Sequence, residues 1–264
     1  MTGPEHAFAV LAYGESPFLA ECVDSLLGQT RRSHVFISTS TPNCHIEAVA
    51  RSHDLPLLVN PERSGMAADW SFAYAQSPAP LVTLAHQDDL YGSGYAEAVV
   101  GAMAARPEAV LAFTDYAELT LQGLRTSSLN LLVKKALLWQ SFLHRTSIRT
   151  SRAKWRLLAF GSPIPAPSVT LNKQRVGAFR FTEAYKVNMD WDAWARLAEL
   201  KAEFLYVRSR LMIHRIHAAS ATSVNLANQA RQAEDERMFR RFWPGRAATV
   251  IAHVYRLSYL SNAT

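Results

Sequence analysis

Residues 8–27 read Phe8-Ala9-Val10-Leu11-Ala12-Tyr13-Gly14-Glu15-Ser16-Pro17-Phe18-Leu19-Ala20-Glu21-Cys22-Val23-Asp24-Ser25-Leu26-Leu27. The first six residues are a short continuous apolar run, the pattern of a strand buried on both faces. Gly14 to Pro17 interrupt it. Ser16 is a good N-cap and Pro17 a good first helical residue, since the proline ring presets φ and its missing N–H has no partner to lose there. Phe18, Leu19, Cys22, Val23, Leu26 and Leu27 then recur at helical spacing, and Gly28 stands where a helix stops.

The same unit repeats outward from this stretch. The patterning predicts strands over 34–38, 57–59, 81–85 and 110–114, with helices over 46–52, 64–76 and 95–106 between them. Alternating strands and helices with short connections imply an α/β fold, a mostly parallel sheet covered by helices on both faces. Such a sheet binds its ligand beyond the carboxyl ends of its strands. Residues 13–15, 38–41, 60–65 and 86–89 are therefore expected to line one crevice. The second half is less regular. It reads as an apolar, basic helix over 128–156, a proline-rich turn over 161–167 and a strand over 168–172. A helix over 188–200 with an acidic first turn follows, then strands over 204–207 and 211–213 and helices over 225–242 and 247–260.

Composition narrows the class. The chain has 264 residues, 49% of them hydrophobic, enough for one substantial core. No run of 18 apolar residues occurs, so no spanning helix is expected, and the first residues lack the basic region of a signal peptide. Two cysteines, Cys22 and Cys44, make no disulfide framework, which points to a reducing, cytoplasmic setting. The formal charge of +6 is unevenly spread: residues 1–132 hold 6 Lys and Arg against 14 Asp and Glu, while residues 133–264 hold 22 against 8. An anionic partner is expected for the second half. A basic nucleic-acid-binding protein is one reading, with Trp139, Trp155 and Phe160 near cations, but no nucleic-acid-binding motif occurs and no nucleic acid is expected. In residues 134–156 and 237–256 cations alternate with Leu, Trp, Phe and Tyr. Either these segments lie on an anionic membrane surface, or their apolar residues are core under a solvated face.

Three constellations carry chemistry. Asp88-Asp89 directly follows a buried strand, and adjacent carboxylates there suit Mg²⁺ or Mn²⁺, which take hard oxygen ligands together with phosphate. The alternative is a solvated turn. No phosphate-cradling GxxxxGK[ST] or GxGxxG occurs. Asp190 and Asp192 open a helix, either complementing its dipole or acting as a general base and its orienter. In His214-Arg215-Ile216-His217, period two puts Arg215 and His217 on one side, a combination suited to a metal–diphosphate site.

Taken in order, these residues resemble glycosyltransferase family 2, nucleotide-sugar-dependent enzymes of the GT-A fold. The carriers are Ala12-Tyr13-Gly14-Glu15, the helix Phe18–Thr30, Glu62–Trp70, His86-Gln87-Asp88-Asp89, Met189–Leu197 and His214–Thr222. The resemblance implies a Rossmann-like GT-A domain over 1–224, with a nucleotide half 1–118 and an acceptor half 119–224, and a helical C-terminal extension over 225–264. It implies an inverting transfer from a UDP-sugar to a saccharide or lipid-linked acceptor, as in cell-surface polysaccharide synthesis. Asp88 and His217 would hold the metal, Asp190 would be the base and Asp192 its orienter. Tyr13, Glu15, Ser38, Gly65, Asp69, Asp89 and Arg215 would bind the donor. The sequence departs from the family where its second strand usually ends in a base-reading Asp. Phe36–Thr41 has none, and Ser38 or Thr39 is expected to take that hydrogen bond. His86 replaces the first Asp of the metal motif, Asp69-Trp70 an Arg-Asn pair, and Met189 a Glu. An inactive GT-A-like binding protein is the alternative these departures leave.

Overall fold

A computed structural model of the chain describes residues 3–62, 65–217 and 230–257. The opening run forms β1 (His6–Leu11), buried along nearly its whole length. α1 (Leu19–Leu27) starts later than its spacing predicts, with Phe18 as N-cap. Ser16 instead closes the preceding turn: its Oγ accepts from Phe18 N at 3.3 Å and its carbonyl from Leu19 N at 3.4 Å. β2 (His34–Thr39), α2 (Cys44–Ser52), β3 (Leu57–Val59), α3 (Met66–Gln76), β4 (Leu81–His86), β5 (Leu90–Tyr91) and α4 (Tyr95–Ala105) follow in the expected alternation. Ser64, expected to open α3, lies outside the described residues.

The sheet has the strand order β3-β2-β1-β4-β9-β6-β10-β5. Its first four strands are mutually parallel, as are β6 (Ala109–Thr120) and β10 (Glu203–Arg215). β9 (Val169–Asn172) enters between β4 and β6, antiparallel to both. Nothing in its four-residue pattern announces that direction. β10 is one strand where two are expected; its register against β6 shifts around Arg210, whose exposed neighbours read as a turn. β7 (Gly123–Arg125) folds back on β6.

The expected helix over 128–156 is two helices. Ser128 caps α5 (Leu129–Phe142), which stops at Leu143 with φ +50°, and Thr150 caps α6 (Ser151–Leu158). β8 (Ser147–Ile148) lies between them. Short α7 (Lys173–Val176) precedes α8 (Met189–Ala198). After β10 come α9 (Ala230–Phe239) and α10 (Gly245–Leu257). Residues 225–229 and 258–260, expected to be helical, lie outside the described residues.

Both sheet faces carry core. Phe8, Leu19, Cys22 and Tyr95 pack on one side. Trp191, Trp194, Phe204 and Phe239 pack on the other. The rings of Phe239 and Tyr255 lie 5.0 and 6.1 Å from Trp191, so α9 and α10 share this second core. Their cations are engaged locally: Arg237 donates to the Ala184 carbonyl, Arg240 pairs with Glu236, Arg241 with Asp192, and Arg256 donates to Gln232. Within 237–256, the aromatic residues are thus core. Among the described residues no helix is long and apolar enough to cross a membrane.

Candidate active site

Parallel pairing sets the carboxyl ends of β3, β2, β1 and β4 side by side, with Leu11 opposite both Ser38 and His86. The strand ends expected to line one crevice are therefore neighbours. Gln87 ties two of these ends together: its Oε1 accepts from Tyr13 N and its Nε2 donates to Tyr13 O, both at 2.9 Å. That leaves the Tyr13 side chain 70% exposed over the opening, with Glu15 also exposed. Asp69 joins the other ends, accepting from Ser40 Oγ at 2.8 Å and Asn60 Nδ2 at 2.9 Å. Gly65 holds φ +114°, a conformation that strains any other residue, at the N-cap of α3. Ser38 does not do what the sequence predicts. It is 2% exposed, and its hydroxyl is buried without a hydrogen-bond partner among the described residues. Its neighbour Ser40 is the hydroxyl wired into the strand-end network.

The two carboxylates after β4 have different fates. Asp89 is fully buried; its Oδ1 accepts from His214 Nδ1 at 2.9 Å and from Arg215 N at 3.0 Å. Burial alone would raise its pKa, but His214, His86 and the Arg215 amide hold the carboxyl below the ordinary range. Burial likewise opposes protonation of His214, and Asp89 and Asp88 overcome it, raising the imidazole. Asp89 therefore anchors β10 to the end of β4, and the donor-binding role expected for it becomes a positioning one. Asp88 stays partly exposed, with Oδ2 2.9 Å from His217 Nε2. Arg215 lies on the same side as His217, as period two predicts: its Nε donates to Asp88 O at 3.0 Å. Its guanidinium also pairs with Glu21 at 2.6 Å and covers the Phe18 ring at 4.3 Å. Glu21 and His214 have no sequence signal beyond proximity to these motifs. Ser220 and Thr222 lie outside the described residues.

α8 supplies the other wall. Glu234 of α9 accepts from the backbone N–H groups of Lys186, Val187 and Asn188 at 2.7–3.1 Å, pinning the segment that leads into α8. Asp190 is half-buried, and the hydrogen bond given to its carboxylate is from Trp191 N, at 2.7 Å. Burial raises its pKa, against the Trp191 amide and the positive charges of Arg231, Lys134 and His86. His86 stands at the end of β4, so this carboxyl lies within electrostatic reach of the strand ends. Asp192 is different again. It is 5% exposed and held by Arg196 Nε at 2.8 Å and by Arg241. Two residues along a helix point to different sides, and Asp192 is spent on joining α8 to the segment after α9. It makes no contact that would orient Asp190. Lys134, unremarked in the sequence, donates to Tyr116 Oη at 2.8 Å and interacts with Asp190.

The family model for glycosyl transferase family 2 matches residues 8–171. The chain belongs to this family. No curated protein sequence matches it. Among solved structures this glycosyltransferase is similar to TarS 1-349 of S. aureus, with TM-score 0.62 and 12% identity over 97% of this chain and 72% of that one. It is similar to the mannosyltransferase PcManGT of Pyrobaculum calidifontis, solved with GDP-Man and Mn²⁺, with TM-score 0.63 and 14% identity over 97% and 75%. It is also similar to the glucosyl-3-phosphoglycerate synthase of Mycobacterium tuberculosis, solved with Mn²⁺, UDP and its product, with TM-score 0.58 and 15% identity over 88% and 78%. Identities this low speak for the fold, and the glycosyltransferase has the GT-A fold.

Among the described residues no three His, Cys, Asp or Glu side chains converge as a metal cluster. Asp88 and His217 do converge, as one carboxylate and one imidazole. Two protein ligands fit Mg²⁺ or Mn²⁺, which characteristically take their remaining positions from water and substrate phosphate. Of the second carboxylate of the motif, Oδ1 is committed to β10, while Oδ2 is buried with no hydrogen-bond partner among the described residues.

Proposed function

We propose that the protein transfers a sugar, with inversion, from a UDP-sugar to a hydroxyl of a saccharide or lipid-linked acceptor. Its setting would be cell-surface polysaccharide synthesis at the cytoplasmic membrane face. The observation that carries the reading is the contact of Asp88 with His217 at the strand ends, together with Asp190, a carboxyl whose burial raises its pKa and which His86 at the end of β4 reaches electrostatically. That the similar structures were solved with GDP-Man and Mn²⁺, or with UDP, Mn²⁺ and a glucosylated product, supports the donor class.

The donor lies across the ends of β1–β4. Tyr13 covers it, Glu15 stands at the rim, and the Ser40–Asp69–Asn60 network bounds the base end, with Asp69 supplying the carboxylate that β2 lacks. Gly65 lets the backbone before α3 turn close to the ligand. Asp88 and His217 would hold the divalent cation, which would neutralise charge on the diphosphate. Arg215 adds a guanidinium beside Asp88, positioned by Glu21 and Phe18. Asp190 takes the proton of the acceptor hydroxyl as that oxygen attacks the anomeric carbon and the nucleoside diphosphate departs. A carboxyl with raised pKa is a stronger base when ionised, which suits general-base catalysis near neutral pH. Lys134 stands close enough to favour the ionised form.

The test is thermal unfolding against a panel of nucleotide-sugars, with and without Mn²⁺. A ligand at a hundred times its Kd stabilises by about 2.7 kcal/mol. Stabilisation by a UDP-sugar that requires the metal is expected. A flat response to every nucleotide-sugar refutes the proposal.

A further inference from the structure

α5 is apolar on two opposite sides. One side is core: Leu131, Leu138 and Phe142 are buried. Directly across the helix, Leu129, Leu132, Ala136, Trp139 and Leu143 recur at spacings of three and four, so they form one line along the surface. Leu129 is 53% exposed, Leu132 59%, Trp139 62% and Leu143 46%. The β6–β7 hairpin immediately ahead of the helix adds Leu121 and Leu124, the former almost wholly exposed. A surface helix ordinarily turns its second side to water with polar residues. A continuous exposed apolar line marks a surface that something covers.

Charge identifies what covers it. From Leu119 to Thr182 there are 11 Lys and Arg and no Asp or Glu. Arg145, Arg149, Arg152 and Arg156 follow α5 with exposed side chains. A second copy meeting this face would bring the same cations against them, whereas an anionic bilayer brings the complementary sign. Exposed Trp and Leu along α5, with exposed arginines in the segment that follows it, bring apolar and cationic groups together as an anionic membrane interface requires. The aromatic residues of 237–256, the other basic segment, are instead packed in the core.

We propose that α5 and the β6–β7 hairpin form a docking surface for an anionic lipid bilayer. Leu129, Leu132, Trp139 and Leu143 enter the headgroup–acyl boundary, and the arginines after α5 meet lipid phosphates. The inner side of the same helix carries Lys134 towards Asp190, so α5 is a wall shared by bilayer and crevice. That last consequence rests on the glycosyltransferase reading; the docking itself does not.

Flotation of the full chain with phosphatidylcholine vesicles, with and without phosphatidylglycerol, tests the proposal. The chain is expected to float with the anionic vesicles, to be released by high salt, and to stay behind with the neutral ones. Leu132→Glu with Trp139→Glu changes only exposed side chains and is expected to lower bound protein roughly tenfold or more. Arg149→Glu with Arg152→Glu is expected to lower it by a similar factor. Unchanged melting and donor-induced stabilisation in both variants would show that the fold and crevice persist. Equal flotation with neutral vesicles, or flotation unchanged by the Leu132/Trp139 pair, overturns the proposal. So does a wild-type dimer in sedimentation that this pair converts to monomer, since the stripe would then serve a second copy. Flotation that holds while no nucleotide-sugar stabilises the chain would overturn the transferase proposal and leave the docking surface standing.

Discussion

Two pairs of aspartates border the crevice, Asp88–Asp89 at the end of β4 and Asp190–Asp192 at the start of α8, and within each pair the two members differ in the same way. The later member is buried and tied to basic side chains: Asp89 to His214, Asp192 to Arg196 one helical turn on and to Arg241. The earlier member keeps partial exposure, Asp88 beside His217 and Asp190 within electrostatic reach of His86. One carboxylate of each pair thus holds the wall together, and the proposal assigns the chemistry to the other. A buried charge persists only when paired, so the locked member of each pair is recognised by its partners rather than by its motif.

The largest expected effect separates Asp190 from Asp192. Asp190→Asn should lower transfer by about 10²–10⁴-fold with donor affinity retained, measured as kcat against the donor KM. It should also raise the melting temperature: a carboxyl whose folded pKa is raised stabilises the fold only below that pKa, so its ionised form at neutral pH is a cost that Asn removes. Asp192→Asn should do the reverse. Breaking a buried pair with two guanidiniums costs about 3 kcal/mol, seen as a lower melting temperature, while the folded fraction keeps its activity. If the two variants behave alike, the contrast within α8 is wrong.

Asp88→Ala should abolish the part of donor-induced stabilisation that depends on Mn²⁺, about 2.7 kcal/mol at a hundred Kd, without unfolding the chain. Asp89→Asn should instead loosen β10 from β4 and lower stability. The pH profile gives a smaller signal. Transfer should fall about tenfold per pH unit below the Asp190 pKa, with the midpoint above the ordinary carboxylate value of about 4, and the limb should vanish in Asp190→Asn. The smallest effect belongs to the rim. Glu21→Gln removes the exposed partner of Arg215 and should change the melting free energy by less than about 1 kcal/mol.

Much of this molecule was legible in its sequence where the signal is local. The run at 8–13, the helical spacing after Pro17 and their repeats place β1–β4 and the helices between them, because burial on two faces or along one stripe leaves a period in the chain. Asp88, His217 and Asp190 were legible as candidates because each follows or opens such an element. Ser38 was misread: strand position predicts that it ends at the crevice, but packing buries its hydroxyl. Asp192 was misread because its partner Arg241 is 49 residues away. The break between α5 and α6 was available in Thr150, a good cap inside what reads as one basic apolar stretch.

By itself the sequence determined the alternation of strands and helices from β1 to α4, β5 excepted, and the end of the sheet to which Asp88 and His86 are brought. These follow from periodicities of two and 3.6, which are properties of neighbouring residues. Only the tertiary structure decided that β9 runs antiparallel between β4 and β6, that Asp89 and Asp192 are anchors while Asp88 and Asp190 are not, and that one basic segment packs its aromatics in the core while the other leaves a line of leucines outside. Each of these depends on which distant residue packs against a given face, and a local pattern records only that a face is apolar or charged, not what meets it.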